Sequence, residues 1–527
     1  MRKPKVSPKK DAKQAPKYSS KEFFLDDLPS TLFPLTTNKV LVEKGHEELL
    51  EFAQNILSGN GTFLPQRRVY ANKDTLHLRR TVKLDAVAEL YLYDLVYRNR
   101  GRFRKPHNDT RQHFGYRFSA GRPLSSTISY ASFKAAVWEG TFLQEEFTYF
   151  DISSYFNGVY HHDLHSWFSS LKPELASDVE AFGRFFREIN AGRSLDCLPQ
   201  GLYPAKMIGN DFLRFIESSS SIRSERIVRF MDDIYIFDDD MNVITADFAE
   251  IQRLLGLKGL SVNSSKTRTG GTPQTDEADE QVSELKKKLL QRRRTLIVSH
   301  YDEDEDTDSL TSVVDEDNDD DDSSENELPV PEVAVPLDEE EISFILSILN
   351  SDTITEDDAE LILVVMRDHV DRIEGHLDKF AKGFPHLAKN FCGLCSEASN
   401  KDNVAEIVLA VTREGSHIGE YQLFWFGVML ENYLMDTKVA PDLLHSLYKH
   451  QSSTDISRAK ILEIADSRYG LPEMREVFLR EGRSDWLAWA SAVGSREMDK
   501  QARNYLLGYF ANGSDMNKLI ARILQKD

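Results

Sequence analysis

Arg226-Ile227-Val228-Arg229-Phe230-Met231-Asp232-Asp233-Ile234-Tyr235-Ile236-Phe237 is the stretch whose reading decides the fold. Two adjacent aspartates separate two runs of apolar, β-branched and aromatic residues. Such runs read as strands, and a polar pair between them reads as the tight turn of a hairpin. Two carboxylates are therefore held at the hairpin tip. A pair so placed repels itself and is costly to desolvate unless a cation sits on it. The plainer alternative is an ordinary surface turn, since Asp is common in turns.

Neighbouring stretches favour the cation. Glu145–Phe156 (EEFTYFDISSYF) reads as a strand that delivers Asp151 at its end. LPQG (198–201) reads as a turn leading into a helix, YPAKMIGNDFLRFIES. After the hairpin come a helix near 245–256 and the segment KGLSVNSSKT (258–267), read as turn, strand and turn. Strand, helix, hairpin, helix, strand is the order of an α+β layer, with helices on one face of an antiparallel sheet. Asp151, Asp232 and Asp233 then supply carboxylates from separate strands, as two-metal nucleotidyl transfer requires. Hard oxygen ligands suit Mg²⁺, which completes its shell with water and substrate phosphates.

Composition locates a partner. The net charge of −21 argues against nucleic acid only until its position is known. Twenty Asp and Glu lie between Asp302 and Glu341 with no Lys or Arg among them, so the rest of the chain carries a net charge of −1. Arg67 to Arg122 holds fourteen Lys and Arg against five Asp and Glu, interleaved with aromatics. That is the composition of a groove for phosphates and bases, or of a solvated basic face. Three cysteines, Cys197, Cys392 and Cys395, are too few for a disulfide framework and fit a reducing cytoplasm. The lone CxxC at 392–395 lacks a second ligand pair and reads as buried structural thiols. No apolar run approaches the roughly 20 residues of a membrane helix, and the basic N-terminus has no apolar core of a secretory signal.

At 527 residues more than one domain is expected. Residues 1–25 read as a basic flexible arm and 26–270 as the α+β module. That module includes an amphipathic helix beginning near Asp85, a helix near 40–58 and another near 129–139. Residues 271–341 read as an acidic disordered linker or insertion. Residues 342–527 read as short helices stacked in pairs, a helical-repeat domain without a strict period.

FDISSYF, LPQG, FMDD and KGLSVNSSKT, in that order, resemble motifs A, B, C and D of reverse transcriptases, over roughly residues 75–268. The run after motif A and the all-helical C-terminal part resemble the bacterial abortive-infection and defence-associated branch, related to retron and group II intron enzymes. The resemblance implies a fingers–palm module followed by an all-α helical-repeat domain. It implies Asp151, Asp232 and Asp233 as catalytic metal ligands for two Mg²⁺, with Mn²⁺ able to substitute. It implies Phe156 as a steric gate against the ribose 2′-OH, with Gln200 and Gly201 against the incoming dNTP. Lys266 would meet pyrophosphate, and Arg80 and Lys83 the triphosphate. The implied activity is DNA synthesis from dNTPs in antiviral defence, protein-primed and possible without a template. Implied partners are RNA or single-stranded DNA and further copies of the chain, joined through the helical domain in a bacterial cytoplasm. The alternatives are a retron-like enzyme copying a partner noncoding RNA, and a non-catalytic RNA-binding scaffold. Two departures stand out. Phe-Met replaces the usual Tyr-Ala or Tyr-Val before the aspartates, which alters packing rather than metal binding. Leu202, Tyr203 and Pro204 follow LPQG where small residues are usual.

Overall fold

The computed structural model describes residues 18–103, 108–195, 198–270, 289, 337–351, 353–414 and 418–526. Most of the segments read as strands and helices take those forms. Strands β1 (Arg67–Asn72) and β2 (Leu78–Lys83) pair as an antiparallel hairpin. Strand β3 (Arg111–Phe114) is followed by a small ribbon of β4 (Phe118–Ser119) and β5 (Arg122–Pro123). Strands β6 (Glu146–Phe150), β7 (Arg226–Phe230), β8 (Asp233–Asp238) and β9 (Arg268–Thr269) join β3 in a five-stranded sheet, ordered β3-β7-β8-β6-β9.

The sheet is mixed, which corrects the antiparallel expectation: β3 runs parallel to β7, while the other pairs are antiparallel. Its two faces follow the period-2 alternation of side chains. Phe150, Ile227, Ile234 and Ile236 enter the main core, and Phe147, Val228 and Phe237 form a second cluster on the other face.

Helices α1 (Ser20–Asp27), α2 (Thr36–Leu57) and α3 (Ala86–Arg98) precede the sheet, and α4 (Ser126–Leu143) leads into β6. Asp85 caps α3 through the Ala88 amide at 2.9 Å, as its position predicts. Next come α5 (Tyr155–Gly158), α6 (His161–Ser170), α7 (Ser177–Ile189), α8 (Tyr203–Phe212) and α9 (Met241–Gly256). Helix α9 covers the main-core face, where Phe248 meets Phe150 at 5.0 Å. Helix α4 covers part of the other face with Phe133, Ala136 and Val137. Helices thus lie on both faces, not one. An apolar cluster on the second face had to be covered by something, and α4, close in sequence, does so with Phe133, Ala136 and Val137 while leaving other aromatics exposed.

The reading of residues 1–25 as a flexible arm needs correction at its end. Residues 1–17 lie outside the described residues, but from Ser20 the chain is helical, with Phe23 and Phe24 fully buried. Of the acidic stretch, 290–336 likewise lies outside. The helical part begins at Glu339, where Asp338 and Glu341 form a capping box.

From Glu339 to Leu524 the described chain is helical. Helices touch their second neighbours: Leu377–Gly383 packs on Lys401–Arg413, Ala388–Ser396 on Glu420–Met429, and Trp486–Gly494 on Asp515–Leu524. That alternation is how stacked helix pairs bury a shared core. Cys392 and Cys395 are buried free thiols, as expected, and burial pushes the Cys392 thiol up to about 11. Cys197 lies outside the described residues.

Two junctions fasten the helical part to the N-terminal part. Glu463, fully buried, accepts from the Thr36 and Thr37 amides at 2.9 and 2.7 Å, capping α2 from a distant helix. Lys460 neutralises it at 2.8 Å and reaches Glu431 at 2.5 Å. Further along α2 the backbone leaves helical geometry at Gly45. A Cβ there would lie 2.5 Å from the side chain of Ile523, so the glycine is what lets helix Asp515–Leu524 seat on α2. The β1–β2 hairpin is held as well. The Tyr70 amide donates to Glu420 at 2.9 Å, and the Thr75 hydroxyl to Glu356 at 2.7 Å. Among the described residues no helix is long and apolar enough to cross a membrane.

Candidate active site

The β7–β8 register pairs Phe230 with Asp233, so the two-residue loop is Met231-Asp232 and Asp233 opens β8. This corrects the reading of Asp232-Asp233 as the turn itself. Met231 sits at φ 55, a conformation a hairpin normally gives to Gly. Such a residue costs about 1–2 kcal/mol and persists only where its surroundings fix it.

What fixes it is Arg229. Its guanidinium is fully buried and donates to the Met231 carbonyl at 2.8 Å, to Glu217 at 2.6 Å and to Asn210 at 3.2 Å. His113 lies 3.6 Å from Glu217, but burial and the Arg229 charge push its imidazole down to about 2. It stays neutral, and Arg229 is the cation hydrogen-bonded to the glutamate there.

Asp151 arrives from the other side. Phe150 pairs with Ile234, so the same antiparallel register sets Asp151 opposite Asp233. The segment after α9 fastens that end. Val262 bridges Ile152, and the Asn263 amide donates to the Asp151 carbonyl at 2.9 Å. KGLSVNSSKT therefore contributes a single bridge and turns in place of the expected strand, and β9 follows it. Its lysine completes the site: Lys266 Nζ donates to Asp151 Oδ2 at 2.6 Å. Tyr149 donates to Asp233 Oδ1 at 2.6 Å.

The electrostatics follow from this crowding. Burial, then the charges of Asp233 and Asp151, push the Asp232 carboxyl up to about 6. Burial also raises Asp233, with Asp151 adding to it and the Tyr149 hydrogen bond opposing it. The Asp151 hydrogen bond raises Lys266. Asp151 is 7% exposed, and its Oδ1 is buried with no hydrogen-bond partner among the described residues. Three crowded carboxylates, one with an orphaned oxygen, fit hard divalent cations. Among the described residues no three His, Cys, Asp or Glu side chains already converge as a coordination shell. Lys266 and Tyr149 each engage one of the carboxylates instead, so cation binding would have to displace or reorient these two groups.

The other expected residues divide. Phe156, on α5, is 8% exposed, and a Cβ on Gly209 of α8 would lie 3.1 Å from its ring. It packs into α8 with little of its ring accessible. Gln200 offers its carbonyl to the Thr81 hydroxyl at 2.9 Å. Thr81 and Arg80 point to opposite faces of β2, and Thr81 is a β2 side chain that reaches this turn. Lys83 is placed away from solvent. It is 5% exposed and paired with buried Glu89 at 2.9 Å, inside the core beneath the hairpin.

Gly201 has φ +107, and a Cβ would approach Leu32 to 3.0 Å. Gly201→Ala is expected to destabilise the protein by about 1–3 kcal/mol, read as a lower urea midpoint; an unchanged midpoint would refute the strain. Just beyond, the Tyr203 amide at the start of α8 donates to Asp27 Oδ2 at 2.8 Å, and Tyr93 donates to the same carboxylate. Asp27, Arg229 and Tyr149 are the positioning residues that the sequence reading missed. For Arg229 a signal was present, since a lone charge inside an apolar strand demands a buried partner.

No protein-family model matches the chain, and no curated protein matches it. Among solved structures it is similar to the telomerase of Candida albicans, solved in complex with a TWJ fragment of telomeric RNA. The identity is 9% and the TM-score 0.26, over 77% of this chain and 65% of that one, a likeness too low to carry argument. The chain thus spans less than two thirds of the length of the telomerase chain it matches.

Proposed function

We propose that the chain is a DNA polymerase of the reverse-transcriptase type, acting in antiviral defence and priming synthesis from its own polypeptide. The observation that carries the polymerase reading is the meeting of Asp151 with Asp232 and Asp233 at one end of the adjacent inner strands β6 and β8, beside Lys266. Asp151, Asp232 and Asp233 would hold two Mg²⁺, or Mn²⁺ in their place. Bound there, the ions supply activation of the attacking hydroxyl and charge stabilisation on the transferring phosphoryl group.

The chain's own residues do the rest. Arg229 and Glu217 fix the loop that carries Asp232. Tyr149 orients Asp233. Lys266 neutralises Asp151 in the resting state and, once released, is a mobile cation beside the departing pyrophosphate. Phe156 and the Gln200–Gly201 turn would bound the nucleotide. The crowding that raises Asp232 makes the site want positive charge before substrate arrives.

The test is incubation of purified protein with each labelled dNTP and Mg²⁺, followed by a denaturing gel. Label is expected on the polypeptide, and absent from Asp151→Asn. Label only on added primer would overturn self-priming, and no label on either would overturn the polymerase reading. Product matching added RNA would replace untemplated synthesis with templated copying.

A further inference from the structure

Helix α4 presents to solvent a face that its packing on the sheet does not use. Phe133, Ala136, Val137 and Gly140 are buried, while Tyr130, Trp138, Phe142 and Leu143 are 41%, 53%, 71% and 54% exposed. Tyr130, Lys134, Trp138 and Phe142 follow one another at four-residue spacing. They form one stripe along the helix, with a step of about 6 Å. The stripe is internally braced. Lys134 Nζ lies 5.3 Å from the Tyr130 ring centroid, and Trp138 meets Phe142 edge-on at 4.8 Å.

The Tyr130 end abuts the candidate active site. The Tyr130 ring stands edge-on to Phe230 at 5.2 Å, and Phe230 is the residue immediately before the Met231-Asp232 loop. The stripe is therefore continuous with the carboxylate hairpin and leads away from it.

Charge and continuity choose the occupant. The core of a protein–protein interface is depleted of lysine, whereas here a lysine interrupts the aromatics. Aromatic rings alternating with a cation are what single-stranded nucleic acid takes: bases stack on the rings and phosphate meets the cation. We infer that α4 is a binding track for a nucleic-acid single strand, with bases on Tyr130, Trp138 and Phe142 and a phosphate at Lys134. That the strand is primer or product of the carboxylate site rests on the polymerase reading. The track itself does not, because its experiment reads binding and needs neither dNTP nor metal.

The experiment uses the full chain and a fluorescein-labelled oligothymidylate of about 15 nucleotides, a length that spans several stacking positions. The anisotropy Kd is expected to rise at least tenfold in the Trp138→Ala/Phe142→Ala variant. Lys134→Gln should reduce the salt slope of binding by about 0.7. A second measurement keeps the inference open to refutation if the variant folds poorly. Trp425, Trp486 and Trp489 are buried and Trp167 is half-buried, so in the wild-type protein quenching by the oligonucleotide reports chiefly on Trp138. Absence of quenching overturns the track. So does an unchanged Kd in the folded variant. A variant that loses self-association while keeping its Kd would give this face to a second copy of the chain.

Discussion

Asp232→Asn is expected to leave the metal-free protein more stable than wild type and unable to transfer nucleotides. Burial and the neighbouring carboxylates hold Asp232 at about 6, against an ordinary value of 3.8. Between those values the folded chain keeps a proton that the unfolded chain has lost, so stability falls as pH rises through that window and stays low above it. At neutral pH the folded state carries a buried charge whose cost reaches about 3 kcal/mol. Asparagine keeps the shape and removes the charge. In scanning fluorimetry without divalent metal at pH 7.5, its melting temperature should exceed that of wild type by a few degrees, on the order expected for 1–3 kcal/mol in a chain of this size. At pH 4.5 the difference should shrink towards zero. Added Mg²⁺ should raise wild type and leave the variant nearly unmoved, because a cation that binds only the folded site stabilises it by mass action. On the proposed polymerase reading, in which Asp232 would hold a catalytic metal, synthesis should fall by about a thousandfold or more. A variant less stable than wild type at pH 7.5 would mean that Asp232 is held by compensations the site does not display.

Arg229→Met should have the largest effect on stability. Arg229 and Glu217 are 0% and 3% exposed at the side chain, and the other Glu217 oxygen is buried with no hydrogen-bond partner among the described residues. Removing one partner of a buried ion pair strands the other, at about 3–5 kcal/mol. The same change frees the Met231 carbonyl and the φ 55 conformation it pins, so nucleotide transfer should fall as well, although Arg229 touches no reacting atom. Urea unfolding of wild type, Arg229→Met and Arg229→Met/Glu217→Met should show the double variant recovering part of the loss. Removing both charges takes away the uncompensated one.

How far the sequence could be read depended on whether the deciding interaction was local. The β7 and β8 strands, Asp151 at the end of β6 and the Asp85 cap of α3 follow from patterns within a few residues. The exact turn did not, because nothing about a methionine announces a positive φ; Arg229 imposes it from within the strand. Lys83 has the composition of a phosphate ligand and the location of a core residue. Its partner Glu89 is six positions on, but only the packing of α3 under the hairpin reveals that the pair is buried. The parallel pairing of β3 to β7 joins segments more than a hundred residues apart, with nothing in either to specify direction. The exposed stripe of α4 was visible as a helix, yet its orientation depended on which residues the second sheet face recruited.

The seating of Ile523 over Gly45 sets an order of events during synthesis. Ile523, which fills the gap at Gly45 on α2, and the capping carboxylate Glu463 are supplied by residues translated more than four hundred positions after the helix they complete. Until those residues emerge, α2 has an uncapped start and an open apolar flank, and the β1–β2 hairpin lacks its anchors at Glu356 and Glu420. A nascent chain carrying all three aspartates would thus have an unfinished fold around them. A polypeptide that ended within the helical region would lack both junctions, so Glu463 and Ile523 complete the fold that holds the three aspartates.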